Sequence, residues 1–222
     1  MPGENAAHEK VIARMNVRDV HIAFLIKDSI NGAEWEPPEK IPGVMQIQVS
    51  PQVASASLFG DGRRRHHVSI VTGYDVTLDH NMIPPKIMAR MRGQTYDDAT
   101  GVRRSNTRDQ AAACAVGWTV DLIGEYEEVT WLPKCVIAPS DRNIQQTTES
   151  IEYSTDSLTV TSLSLEYNGD FEYQADTTGT SSNFTKEVAA KFFDKVFVLP
   201  PKGPVVPPEL EGIESAQAVK TK

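Results

Sequence analysis

The segment from Thr147 to Thr178 reads TTESIEYSTDSLTVTSLSLEYNGDFEYQADTT, and its pattern is typical of a β-hairpin. Residues 157–166 alternate in polarity and are rich in Thr, Val and Leu, which favour strands. Asn168-Gly169 is a strong hairpin-turn signal, because both residue types tolerate positive φ angles. After the turn, alternation resumes at Phe171, Tyr173 and Ala175. The segment therefore predicts two paired strands behind a polar arm, and it holds no nucleophile–base pair.

Alternating polarity upstream of this segment predicts further strands. They are Val17–Ile26, residues 45–50, Ala54–Phe59, Val68–Asp79, Cys114–Leu122 and Val129–Ile137. We expect residues 45–50 to pair with Ala54–Phe59. Pro133 lies in the last of these strands, and proline has no backbone N–H to donate to a neighbouring strand. We therefore expect this strand to lie at the edge of the sheet or to contain a bulge at Pro133.

Two helices are predicted. Ile83-Pro84-Pro85 opens the first, and Gly93 ends it. Thr185 can cap the second, whose apolar side runs from Val188 to Val196 and which Pro200 stops. Residues 200–222 hold five prolines and predict a flexible or extended tail.

Seven or eight short strands without βαβ alternation predict a mainly β fold, an antiparallel β-sandwich or barrel with a flanking α-helix. The expected organisation has four parts. They are an N-terminal arm (1–16), a β-domain (17–178), a C-terminal helical segment (179–199) and the Pro-rich tail (200–222).

The net charge and the composition argue against several classes of function. The net charge of the 222 residues is −8, which argues against a protein that grips nucleic acid through a basic face. The longest apolar run, Ile22–Ile26, is too short to span a bilayer, so no membrane partner is expected. Cys114 and Cys135 are the two cysteines, and two buried thiols are the simplest interpretation.

The titratable residues of the sequence form two loose groups, and neither has the pattern of a metal-binding or catalytic site. Arg63–His67 reads RRRHH, but adjacent histidines on a strand point to opposite faces and cannot easily share one ion. His66, His67 and His80 lie near Asp75 and Asp79 without any nucleophile motif. We therefore expect no catalytic residues, no metal site and no cofactor.

A long polar stretch follows the first helix. Residues 94–111 read QTYDDATGVRRSNTRDQA, with no strand or helix pattern. Loops of this length inside a compact domain are usually functional or disordered. Asp97-Asp98 is not followed by calcium-loop spacing, so a solvated turn is the better interpretation.

The order of these elements resembles the major tail proteins (tail tube proteins) of long-tailed, non-contractile bacteriophages. The resemblance covers residues 17–178; the loop at 94–111 is longer than expected, and the second helix and tail lie outside the pattern. The resemblance rests on matching segments in the same order along the chain. These segments are Val17–Ile26, Ile41-Pro42-Gly43, Val44–Ser50 with Pro51, Leu58-Phe59-Gly60-Asp61-Gly62, Gly73–Leu78 leading into Ile83-Pro84, Cys114–Leu122, Trp131–Ile137, and the arm and hairpin at 146–175.

This resemblance implies a structural protein of the virion tail, present in the host cytoplasm before assembly. Subunits of that family close into hexameric rings, which stack into a hollow tube through which DNA is ejected. The implied partners are the tape measure, the tail terminator and the baseplate or tip. Two alternatives stay open: a tube protein of a contractile tail or secretion system, and a β-sandwich binding module for carbohydrate or protein, with Trp35, Trp118 and Trp131 as stacking candidates.

An acidic chain suits a DNA conduit that must not hold its cargo. The lumen-facing candidates are Gln46, Gln48 and Ser50, and other polar strand faces are Asp75, Thr77 and Asp79, and Thr119 with Asp121. Arg63–Arg65 should lie away from the lumen or be neutralised. We expect self-association through strand edges and polar loops rather than a large apolar patch. The candidate inter-subunit residues are Tyr96, Asp97, Asp98, Arg103 and Arg104.

Overall fold

The chain is mainly β. The computed structural model describes residues 12–81, 83–138, 156–179 and 184–201, and these form eleven strands and two short helices. The strands are β1 (Arg14–Ser29), β2 (Gly32–Trp35), β3 (Glu39–Ile41), β4 (Val44–Gly60), β5 (Arg63–His80), β6 (Thr95–Asp97), β7 (Val102–Arg104), β8 (Cys114–Leu122), β9 (Tyr126–Ile137), β10 (Asp156–Ser162) and β11 (Tyr173–Asp176). The helices are α1 (Pro85–Met91) and α2 (Lys186–Ala190).

Nine of the strands form one antiparallel sheet. Its order is β2-β1-β8-β9-β10-β5-β4, with β3 beside β1 and β11 beside β9. Strands β6 and β7 form a separate hairpin. The predicted fold class, an antiparallel β-sandwich with a flanking helix and a second helix near the C-terminus, is confirmed.

The main core lies where strands from both ends of this sheet face each other. Alternate residues of β1, β5 and β10 point into it, as the period of two along a strand requires. Helix α1 adds Ile87, Met88 and Met91 to the same core. The strand residues include Val20, Ile22 and Phe24, Val76 and Leu78, and Leu158 and Val160.

A second apolar cluster covers the other face of β1, β8, β9 and β11. Trp131 lies at its centre with its indole Nε1–H donating to the carbonyl of Phe192 at 3.1 Å. Ala189 of α2 and Phe192 are both buried in this cluster. The C-terminal segment is therefore a packed part of the β fold.

Helix α2 is shorter than predicted. It ends at Ala190, and Phe193 turns towards the sheet to stack on His21 at 4.7 Å between ring centroids. Phe192 and Phe197 also stack on each other. These aromatic contacts place neighbouring side chains in directions that a regular helix would not allow.

The predicted hairpin at residues 157–175 is wrong in its pairing. Among the described residues, β10 and β11 are both partners of β9, one after the other along the same edge. The chain between them makes a local turn, in which Gly169 has φ +77° and its N–H donates to the carbonyl of Leu165 at 2.9 Å. Asn168-Gly169 thus marks a turn within a loop, since β9 offers both strands a better partner.

Replacing Gly169 with Val should lower the free energy of unfolding by about 1 kcal/mol, because a β-branched residue is strained at positive φ. A Cβ at this position would meet no described atom within 4 Å, so backbone strain is the whole expected effect. Urea denaturation measures it. Gly169→Asn is the control and should be better tolerated, since Asn adopts this conformation more readily. Equal stability of the parent and the Val variant would contradict the turn.

The loop between β10 and β11 is anchored by a buried ion pair. Asp28 accepts hydrogen bonds from the Lys134 Nζ at 2.7 Å and from the Glu166 backbone N–H at 3.0 Å. Burial acts to raise the pKa of Asp28, but these donors outweigh it, and the pKa lies below its ordinary value. The ionised carboxylate therefore joins β1, β9 and the loop.

Asp28→Ala should cost about 3 kcal/mol at neutral pH, because it leaves the mostly buried Lys134 ammonium without its partner. Since folding lowers the pKa of Asp28, its stabilisation is fully present above the unfolded value of about 4 and is lost as pH falls through the folded value. Urea unfolding at neutral and acidic pH should show the difference between parent and variant shrinking in acid. Asp98→Ala, which removes an exposed pair with Lys86, is the control and should cost under about 1 kcal/mol. A pH-independent difference would contradict this role.

The predicted pairing of residues 45–50 with Ala54–Phe59 is also wrong. Residues 45–50 and 54–59 belong to one strand that continues through Pro51, and both pair with β5. Proline is tolerated because β4 is the last strand of the sheet. Pro133 does make a bulge, between the pairs Cys114–Cys135 and Val116–Leu132, but β9 lies inside the sheet and not at its edge.

Candidate assembly surfaces

A polar face extends over three neighbouring strands. Gln46, Gln48 and Ser50 of β4 pair with Asp79, Thr77 and Asp75 of β5, and β10 adds Ser157, Thr159 and Thr161. Cross-strand partners point to the same side of a sheet, so these nine residues form one surface. We call it the polar face. The other side of the same strands is turned towards the core by Val76, Leu78, Leu158 and Val160.

Hydrogen bonds hold this face together. Asp75 accepts from the side-chain amide of Gln52 at 2.9 Å and from the Thr161 hydroxyl at 2.8 Å, and these bonds lower the pKa of Asp75. The Ser157 hydroxyl donates to Asp79. The nine residues include two carboxylates and no lysine or arginine, so the surface is polar and mildly acidic.

Thr119 and Asp121 do not belong to the polar face. Thr119 is buried and pairs with Val129, on the side of the sheet that the C-terminal segment covers. Asp121 accepts from the Arg18 guanidinium at 2.7 Å, and Arg18 also binds Glu127. Thr119 is excluded from a solvent-facing lining by its burial, and the Asp121 carboxylate is engaged by Arg18.

Beyond the polar face, β4 and β5 continue as a two-stranded ribbon, residues 53–71. Within the described part of the chain, no third strand pairs with it. Its eight β4 residues extend about 27 Å at the usual rise of a strand. Two-stranded hairpins are only marginally stable in water unless something packs against them.

The two sides of the ribbon differ. One side carries Ala54, Ala56 and Leu58 from β4, paired with Ile70, Val68 and His66 of β5. Leu58 is 65% exposed and Ile70 is 59% exposed. The opposite side carries the Val53–Val71 pair at the base of the ribbon, followed by Ser55, Ser57, Ser69 and His67. An apolar strip therefore lies open to solvent along Ala54, Ala56, Leu58, Val68 and Ile70.

The tip of the ribbon is basic. Arg63, Arg64 and Arg65 follow the turn at Asp61-Gly62, and Arg65 forms an ion pair with Asp61. Arg63 lies ten residue pairs beyond Ser50, which places the tip about 30 Å from the polar face. His66 and His67 have partners on opposite sides of the ribbon, and the Ser57 hydroxyl lies 2.9 Å from the His67 Nδ1.

The polar stretch at 94–111 contains a small hairpin, so the expectation of a patternless loop is wrong. Strands β6 and β7 pair Tyr96 with Arg103. The Asp97 carboxylate accepts from the Thr100 hydroxyl at 2.6 Å and from the Ala99 N–H at 3.0 Å. Gly101, with φ +69°, closes the turn. The hairpin brings together all five candidates, Tyr96, Asp97, Asp98, Arg103 and Arg104; Asp97 followed by a turn glycine was the missed signal.

The remaining candidate groups serve packing. Trp118 and Trp131 are buried, and the Trp35 indole donates to the Pro133 carbonyl at 2.9 Å. Cys114 and Cys135 are buried cross-strand neighbours, and burial raises the pKa of Cys114 to about 12. Within the described ranges, no three His, Cys, Asp or Glu residues are placed to hold a metal ion. The described helices include none long and apolar enough to cross a membrane.

These features define a mainly antiparallel β-sandwich protein with an open strand edge and an exposed apolar strip. Comparison with models of known families matches residues 45–198 to the phage tail tube proteins. The match covers more than half of the chain, so the chain belongs to the phage tail tube protein family. It begins at β4 and includes the C-terminal segment. No curated protein matches the chain. Members of this family are structural, non-enzymatic proteins of the virion tail that assemble with other tail proteins into a tube.

Proposed function

We propose that this chain closes into six-fold rings that stack into the hollow tail tube through which phage DNA is ejected. The observation that carries the proposal is the ribbon, because it is a long two-stranded element with an uncovered apolar strip. A neighbouring subunit that packs on Leu58, Val68 and Ile70 would remove this strip from water. Burial of each such side chain contributes roughly 1.5–3 kcal/mol.

The free edge of β4 supports closure of the ring. The backbone groups on its outer side have no strand partner among the described residues. Pairing with a strand of the next subunit satisfies these groups and removes an exposed edge. We propose that the β6–β7 hairpin, with Tyr96 and Arg103, contributes to the same contact between subunits.

We place the polar face towards the channel. DNA carries about one negative charge per 1.7 Å of its axis, so a basic lining would retain it. The polar face presents amides, hydroxyls and two carboxylates, which do not attract phosphates. The basic ribbon tip lies far along the strands, where it can contact acidic groups of another subunit. We propose the tape measure, terminator and tip proteins as its partners in the virion tail.

Gln48→Lys tests the channel lining. The side chain of Gln48 is exposed, so the variant should fold and form tubes, while each ring gains six positive charges if it is hexameric. We expect DNA ejection to slow, with the delay relieved by salt. Gln110→Lys, exposed and outside the polar face, is the control. Normal ejection through Gln48→Lys tubes would contradict the placement of this face.

Electron microscopy of the purified protein and of virions tests the assembly itself. Rings or tubes with six subunits per layer are the expected result. A chain that stays monomeric at high concentration and is absent from the tails of virions would overturn the proposal.

A further inference from the structure

A wide groove adjoins the second apolar cluster, outside the polar face. It has a volume of about 1090 Å³ and runs between the β2 loop, β11 and the C-terminal segment. Its aromatic lining consists of Trp35, Tyr173, Phe184, Phe192 and Phe197. Pro37 and Pro38 continue this surface. The groove is large enough for a short stretch of polypeptide.

The described chain ends beside this groove. Val196–Leu199 forms part of the wall, and Pro201 follows two residues later. Pro200-Pro201-Lys202-Gly203 has the residue types of a type I turn, with proline in the second position and glycine in the fourth. These residue types predict a reversal of the chain, which would direct the next residues back along the groove.

The sequence after this turn suits an aromatic groove. Residues 204–208 read PVVPP and carry no charged side chain. Proline-rich segments adopt extended polyproline II conformations at little cost in entropy, and aromatic-lined grooves are their common binding sites. Five such residues span about 15 Å. We propose that Pro204–Pro208 occupies the groove of its own chain.

The charges that line the groove are mixed, with two lysines and five carboxylates, those of Glu34, Glu36, Asp170, Glu172 and Asp194. Lys191 and Lys195 line the wall, and neither forms an ion pair with a described residue. The residues that follow the proline-rich stretch include Glu209, Glu211 and Glu214. In the proposed arrangement the uncharged residues lie against the aromatic rings, and the acidic residues that follow pass the two lysines and avoid the five carboxylates. This contact fixes the C-terminal segment over the second core and does not depend on tube formation.

Disulfide trapping in the full-length chain tests the contact. Val188 lines the groove and is 44% exposed, so Val188→Cys is compatible with folding. We expect Val188→Cys with Val206→Cys to form a disulfide within one chain when dissolved oxygen accepts the two electrons and protons of the thiols. Mass spectrometry should find peptide 187–191 joined to peptide 203–220. The native thiols are buried and should not react.

Val102→Cys with Val206→Cys is the matched control, since Val102 is also exposed but lies outside the groove. Equal cross-linking in both variants, or none in the groove variant, would overturn the proposal. Cross-linked dimers without an intrachain product would reject the assignment to the chain's own tail. As a second measurement, Val188→Asp should speed tryptic cleavage after Lys202 several-fold, and Val102→Asp should not. Both measurements use dilute monomer, so their failure is distinct from a failure to form tubes.

Discussion

Tubes should not form at the parental concentration when Leu58 and Ile70 are both replaced by Asp, although the subunit still folds. The two residues lie on the apolar side of the ribbon and are largely exposed in the single chain. The variant therefore removes little packing from the monomer. In the assembly, it loses the burial of two large side chains and places two carboxylates in the contact.

The expected size of this effect follows from the buried area. Two side chains of this kind contribute about 3–6 kcal/mol to a contact that covers them. Because each 1.4 kcal/mol changes an equilibrium constant tenfold, the concentration needed for assembly should rise at least about 100-fold. Sedimentation and electron microscopy over a concentration series measure it, with urea unfolding to confirm the fold.

Ser57→Asp with Ser69→Asp is the matched control. It adds the same charge to the opposite side of the same ribbon. We expect these tubes to form at nearly the parental concentration. Assembly of the Leu58 and Ile70 variant at that concentration would show that the apolar side does not contact a neighbour.

Gly117→Val should cause a large loss of stability in the β-domain. Gly117 faces Trp131 across β8 and β9, and a Cβ there would lie 2.6 Å from the Trp131 Cε3 and 2.8 Å from the Phe193 Cε1. Trp131 is completely buried and cannot move aside. Overpacking of this kind costs about 3 kcal/mol, which corresponds to a fall in Tm of roughly 6–12 °C for a chain of this size.

Gly60→Val is the control. It also replaces a strand glycine with Val, but without a clash against a rigid, buried side chain. Its Cβ would meet the flexible side chain of Arg65 at 3.2 Å. Calorimetry and tryptophan fluorescence should show a small change for Gly60→Val and a large one for Gly117→Val. A parental Tm for Gly117→Val would mean that the C-terminal segment does not pack on Trp131.

Local chemistry in the sequence was enough for much of the candidate site. Alternation along residues 45–50 and 68–79 identified the polar residues of β4 and β5, since a strand's period of two assigns each side chain to a face. Proline at the start and glycine at the end bounded α1 correctly. The sequence did not predict that β10 contributes to the polar face, which its Ser157, Thr159 and Thr161 complete. Their place depends on long-range pairing with β5.

What the sequence by itself determined is the strand character, the faces of β4 and β5 and the acidic charge. The tertiary structure decided which strands meet. Asn168-Gly169 carries the signal of a hairpin, yet β9 is long enough to pair with β10 and then β11 along one edge. Pro51 suggests a break, yet β5 pairs with β4 on both sides of it. Turn and strand signals are local, whereas pairing is settled by the burial that the whole sheet achieves. The ribbon and the packed C-terminal segment therefore appear only in the folded chain.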